Sequence, residues 1–286
     1  MMSFYKTFFS QTRLVPHNLK IGFFIFTFIV LVTIVSLVWT PYDITVLRIP
    51  DKLKPIGDPN FYLGTDHFGR DILSMLMKGG QTSIMVAATA IMIGLLIGVP
   101  LGLIAASQSD KLIDEAIMRS NDLIFAFPAL VIAILFTAVF GPSAINAITA
   151  IGIFNIPVFA RVTRGAALSI FKLDYILSAR TCGKSSIKIS IEHVLPNITS
   201  VLLVQSTTQF SLGILAEAGL SYVGLGAQPP TASWGRMLSD SQTMISFAPH
   251  LALAPGLLII TTVISINLMG DGLRDYLDPK MGSKTK

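Results

Sequence analysis

The stretch TSIMVAATAIMIGLLIGVPLGLIAA, residues 82–106, decides the fold: it runs for 25 residues without one ionisable side chain. At about 1.5 Å of rise per residue, a helix of that length spans the ~30 Å hydrocarbon core of a bilayer. A helix also pairs its own backbone groups, which hydrocarbon cannot do for it. Five further apolar stretches flank this one, at 21–40, 123–140, 144–160, 198–220 and 251–270. The stretch at 144–160 is short and carries Asn146, Asn155 and Pro157, and that at 198–220 is the most polar. Over the 286 residues, 52% are apolar and 13% charged, about half of the ~25% charge usual in soluble domains. The mean hydropathy is +0.69. A soluble two-domain enzyme would need more charge to cover its surface, and a disordered chain would hold fewer apolar residues. The expected fold class is an all-α membrane protein with about six transmembrane helices.

The apolar core of 21–40 exceeds the 7–15 residues of a signal-peptide core, and Thr40-Pro41-Tyr42 is a poor cleavage site. It reads as a retained anchor. Lys and Arg set the orientation. With the N-terminus inside, inner segments hold fifteen of the 21 basic residues, and outer segments hold Arg48, Lys52, Lys54, Arg70, Lys78 and Arg236. Both termini are therefore expected on the cytoplasmic side of the membrane. The net charge of +5 reports this orientation rather than nucleic-acid binding. Trp39, Tyr42, Tyr222 and Trp234 fall near the expected outer boundaries, where aromatic rings sit well. The reading divides the chain into an inner segment 1–20, an anchor 21–40, an outer segment 41–81, a core 82–271 with an inner loop 161–197, and an inner tail 272–286. The sequence carries no internal repeat of the kind found in many secondary transporters.

The inner loop is the most informative soluble segment. Asp174 is a candidate N-cap for a helix over 175–182, and Gly183 suits a left-handed stop. Ser185 or Ser186 can cap a second helix, in which Ile187, Ile191, Val194 and Leu195 form one apolar face until Pro196 ends it. Lys188 and Glu192 can pair at i, i+4 spacing. The expected product is a helix–glycine–helix projecting from the membrane, with an apolar face in need of a partner.

The run Asp174-Tyr175-Ile176-Leu177-Ser178-Ala179-Arg180-Thr181-Cys182-Gly183, followed by Glu192-His193-Val194-Leu195-Pro196-Asn197, resembles the EAA loop of binding-protein-dependent ABC importer permeases. The likeness is to the second, C-type subunit of dipeptide, oligopeptide and nickel importers. Four more segments carry it: 63–74 (LGTDHFGRDILS), 122–128 (DLIFAFP), 215–235 with its Gln228-Pro229-Pro230, and 267–279 ending in Leu277-Asp278-Pro279. The resemblance implies a type-I importer permease fold and a coupling helix that sits in a groove of an ATPase subunit. Its implied partners are a sister permease, two cytoplasmic ATPases and a periplasmic binding protein. Asp174, Tyr175, Ala179, Arg180, Gly183, Ile187, Glu192, Leu195 and Pro196 would make the ATPase-coupling loop. Leu177 and Ser178 stand where the family usually has glutamate and alanine, so a salt-bridge role for that glutamate does not carry over. The implied cargo is a di- or oligopeptide, with glutathione-like peptides or nickel chelates as the alternative on the same architecture.

Gly183-Lys184-Ser185 lacks both the earlier glycine, where Ser178 stands, and the preceding strand of a P-loop, so ATP hydrolysis is expected on separate chains. No cofactor is implied, and the chain reads as no enzyme. Gly94, Gly98 and Gly102, at i, i+4 and i+8, make a smooth ridge for close helix approach, within the subunit or with a sister. Glu217 is the one acid well inside a span, where a charge costs roughly 3 kcal/mol or more, so it should face a bundle interior or water. Together with Gln205, Gln209 and Asp122 it is a candidate for lining a translocation path. His17, His67, His193 and His250 show no ligand spacing, and Cys182 is the only cysteine, so no metal site or disulfide is expected. Asp66 and Asp71 around Arg70 suggest an outer turn held by ion pairing. An ion-coupled secondary transporter using Glu217 and Asp122 is the more distant alternative.

Overall fold

The computed structural model describes residues 15–277. The residues before 15 and the tail from 278, with Asp278-Pro279 and the basic residues at both ends, lie outside the described residues. Among the described residues, regular structure is helical, with one isolated bridge between Thr65 and Asp71. Five helices are long and apolar enough to cross a membrane, and a bent pair makes a sixth if counted as one span.

Helix α1, His17–Val38, points Phe23, Phe24, Phe28 and Leu31 outward and buries Gly22, Ile29 and Ser36. It lies against the last helix: a Cβ on Gly22 would stand 2.4 Å from the Ser265 carbonyl oxygen. Helix α2 spans Ile72–Ser107 and begins well before the apolar run. Asp71 explains the early start, because its Oδ2 accepts from Ser74 N at 2.8 Å and from Ser74 Oγ at 2.6 Å. Its 36 residues reach ~54 Å, so its outer end stands clear of the hydrocarbon and the non-helical outer segment stops at Asp71.

Helices α3, Leu112–Phe125, and α4, Ala129–Phe140, meet at a 78° bend. The expected single span at 123–140 is thus broken. Pro128 disfavours helical backbone in the residue before it, which places the break at Ala126-Phe127. Helix α5, Ala144–Phe171, starts at a cap in which Ser143 Oγ accepts from Asn146 N. Its two asparagines donate locally: Asn146 Nδ2 to Gly141 O at 2.6 Å and Asn155 Nδ2 to Ile151 O at 3.0 Å. The pairing of α2 with α5 is the most extensive in the molecule. The glycine ridge makes it: added Cβ atoms on Gly94, Gly98 and Gly102 would lie 2.5–2.6 Å from Asn155, Ile156 or Ala160 atoms. The ridge is packing within the subunit.

The inner loop contributes α6, Asp174–Thr181, and α7, Ser186–Ile189, then a π turn over Ser190–Val194 that runs into α8, Leu195–Tyr222. Pro196 does not end a helix here. It occupies the opening turn of α8, and the wider π turn accommodates the lost N–H, so that 186–222 is one continuous rod. On the outer side, α9, Trp234–Ser241, lies across α8 and α10, His250–Leu277. Trp234, expected at the lipid boundary, is instead fully buried against Gly79 and Gly80, and its Nε1 donates to Leu76 O at 3.0 Å. Two cores result. The outer one gathers Ile72, Leu76, Ile214, Trp234, Met237 and Ile259, and the inner one Val99, Phe159, Ile176, Ile189, Val194 and Ile198.

Candidate functional site

The inner loop is held from one side only. Helix α6 starts with Asp174 as its first residue rather than its cap, the capping position falling to Leu173. It ends in a Schellman arrangement: Lys184 N donates to Ala179 O at 3.1 Å and Gly183 N to Arg180 O at 2.9 Å. Gly183 has φ +80°, the left-handed value this closure needs. Ser185 then caps α7. Ile176, Ile189 and Val194 are fully buried in the inner core. Arg180 lies over the Phe171 ring at 5.5 Å, which fastens α6 to the end of α5. Lys184 Nζ donates to Glu192 Oε2 at 2.8 Å and lies 3.0 Å from His193 Nε2, closing the loop across Gly183. Lys188 reaches the same carboxylate at 3.8 Å.

The opposite side is open. Ile187 is 73% exposed and Ile191 59% exposed, and Leu173, Tyr175 and Leu177 are exposed beside them. The expected single stripe therefore splits: Ile187 and Ile191 face outward, Val194 inward, and Leu195 is half-buried. The π turn between Ile191 and Leu195 shifts the register that a plain α-helix would keep. The anchors Ile176 and Ile189 were not picked out by periodicity, because each sits alone on a short helix.

The path candidates lie in different settings. Glu217 is 1% exposed; its Oε2 accepts from Ser83 Oγ and its Oε1 from Ser221 Oγ, both at 2.7 Å. Ser83 Oγ in turn accepts from Trp234 N at 3.2 Å. The carboxylate thus joins α2, α8 and α9 inside the subunit and faces protein rather than an open passage. Gln209 is buried and Gln205 half-buried on the same helix, and Ser211 Oγ donates to Asn267 Oδ1 at 2.9 Å. Asp122, on the last turns of α3, pairs with Arg161 of α5, and both side chains are about half exposed. Sequence reading missed a second pair on the same two helices: Asp114 Oδ1 and Oδ2 accept from Arg164 Nε and Nη2, each at 2.6 Å. Fifty residues separate Asp114 from Arg164, so spacing alone gives no signal for it.

On the outer side, Asp66 Oδ1 accepts from Phe68 N and Arg70 N at 2.8 Å, and Arg70 Nε donates to Asp66 Oδ2 at 2.6 Å. Arg70 also meets Asp240 of α9 at 3.5 Å, and Arg236 meets the same acid at 2.9 Å. Among the described residues, no three His, Cys, Asp or Glu side chains converge as metal ligands.

Residues 98–283 match the family described as "binding-protein-dependent transport system inner membrane component". The chain belongs to that family. Among curated relatives, this permease is 40% identical to the glutathione transport system permease protein GsiD of Pectobacterium atrosepticum, over 85% of this chain and 80% of the relative. It is 40% identical to the di/tripeptide permease DppC of Pseudomonas aeruginosa, over 82% and 77%. With the dipeptide permease DppC of Alkalihalophilus pseudofirmus it shares 38% over 92% and 86%. In fold it is similar to a permease chain of the inward-facing MetNI methionine ABC transporter, with a TM-score of 0.60 at 16% identity, over 71% of this chain and 97% of that one. The match confirms the type-I importer permease fold. The first helix and the outer segment precede the matched family region.

Proposed function

We propose that this permease is the C-type membrane subunit of an ATP-driven importer of short peptides, paired with a sister permease across the translocation pathway. Two cytoplasmic ATPase chains supply ATP hydrolysis, and this chain has no chemistry of its own. A periplasmic binding protein delivers the cargo to the outer face. Both termini lie in the cytoplasm, as the distribution of basic residues favours. The names of the relatives support peptides as cargo, glutathione among them.

The observation that carries the reading is the outward face of the inner loop. Ile187, Ile191, Leu177 and Tyr175 are exposed on a segment whose other side is locked into the core. Exposed apolar side chains on a well-anchored, water-facing helix pair suit a groove in a partner. Rigid anchoring matters equally, because a displacement of the ATPase reaches the spans only if the loop does not give. The rod 186–222 provides that transmission, since α7 and the fifth span are continuous. Nucleotide and cargo then shift the population between inward- and outward-open states through their different affinities for the two. Affinity purification in mild detergent tests the reading: an ATPase chain co-purifies with the wild-type permease, and uptake of di- or tripeptide in vesicles requires ATP and the binding protein. Uptake driven by an ion gradient without ATP would refute it.

A further inference from the structure

Helices α3 and α5 are joined by two ion pairs with opposite surroundings. Asp114–Arg164 is bidentate, and the Asp114 carboxylate is enclosed. That pair clasps the two helices from inside. Asp122–Arg161 lies on the same two helices, yet 54% of the Asp122 side chain and 45% of that of Arg161 are exposed. One face of the Arg161 guanidinium lies over the Phe125 ring at 4.4 Å. The 78° break between α3 and α4 follows directly, with Leu123 exposed just before it and Phe127 exposed within it.

Arg161 lies 17 residues along α5 from Ala144, a rise of about 26 Å in a ~30 Å hydrocarbon layer. It therefore sits at the cytoplasmic mouth of the spans. An open acid and an open base side by side, next to a broken helix, do not suit a lipid face. A short peptide has the complementary charges, an ammonium at one end and a carboxylate at the other.

We propose that Asp122 and Arg161 are an exchangeable counter-ion pair at the inner mouth of the pathway, which opens to receive the charged termini of a zwitterionic peptide. Asp122 takes the ammonium and Arg161 the carboxylate, while Phe125 keeps the guanidinium in place. When the cargo leaves, the pair closes on itself. The proposal rests on the peptide-importer reading above and assigns specificity to two residues of this chain beyond whatever the binding protein selects.

The test uses the complete complex in vesicles, with the binding protein and a free dipeptide, normalised to assembled permease. Wild type must first transport; if it moves no di- or tripeptide, the peptide reading itself falls, and the proposal with it. Asp122→Asn and Arg161→Gln should each lower uptake per ATP hydrolysed by about tenfold or more, the scale of removing one partner of a charge pair. Stimulation of ATP hydrolysis by loaded binding protein should persist. The decisive variant is the exchange Asp122→Arg with Arg161→Asp, which keeps an ion pair between the helices but presents each charge from the other side. Uptake should stay low. Restored uptake would make the pair a simple clasp, and unchanged uptake in both single variants would assign it to lipid headgroups or to nothing; either overturns the proposal.

Discussion

The outer and inner ends of this permease are built in contrasting ways. At the outer end, one set of polar and aromatic groups is satisfied within the chain, although Tyr62 and Phe247 stay exposed. Trp234 is sealed against Gly79 and Gly80, Glu217 is shared by two serines, and Asp66, Arg70, Asp240 and Arg236 link the outer segment to α9. At the inner end, the loop has three buried anchors and a row of exposed apolar side chains. We place the ATPase contact at the inner end because its exposed apolar side chains stand on a loop anchored in the core. Ile187 and Ile191 stand beside exposed Tyr175 and Leu177, and an apolar patch of that kind suits a partner surface.

The comparison predicts different consequences for damage at each end. Trp234→Ala should have the largest effect on the subunit itself, since it empties a fully buried site: about 3–5 kcal/mol of stability, read as an earlier thermal transition in mild detergent. An unaltered transition would mean the outer end is not closed by this residue. Glu217→Ala should follow, at roughly 1–3 kcal/mol, because it strands the hydroxyls of Ser83 and Ser221. Membrane insertion should be preserved while uptake falls, and immunoblotting of membranes alongside transport checks both. Gly183→Val belongs to the inner end. Its Cβ would meet open space, so the penalty is the left-handed backbone alone, about 1–2 kcal/mol, confined to the loop. Uptake should drop and ATP hydrolysis should stop responding to loaded binding protein, with the spans intact. Lys188→Ala should do least, because its 3.8 Å contact with Glu192 is exposed and Lys184 already holds that carboxylate. A large loss of coupling there would show that the charged side of the loop, and not its apolar side, meets the partner.

Much of this architecture was legible from apolar run length, which depends only on the need to cover hydrocarbon. The helix–glycine–helix of the inner loop was legible too, because Gly183 and Ser185 act locally. What escaped were features set by distant partners. Trp234 looks like a boundary aromatic until Gly79 and Gly80 are seen to leave space for its ring. Glu217 has the same composition signature whether it lines water or meets Ser83, which is 134 residues away. The Asp114–Arg164 pair is equally silent in sequence. Pro196 misleads for another reason: proline normally stops a helix, but a π turn just before it frees the position, and no local pattern announces that turn. The early start of α2 was within reach, since Asp71 followed by Ser74 is a capping signal.

The central claim is that the inner loop's outward apolar face is the ATPase contact. The double variant Ile187→Glu/Ile191→Glu tests it most directly, with two quantities measured on one preparation: the thermal transition of the purified permease and the ATPase chain retained with it. Both side chains face water in the isolated subunit, so the transition should stay at its wild-type temperature while the ATPase is lost from the complex. Full retention of the ATPase, or its loss accompanied by an unfolded permease, would contradict the account.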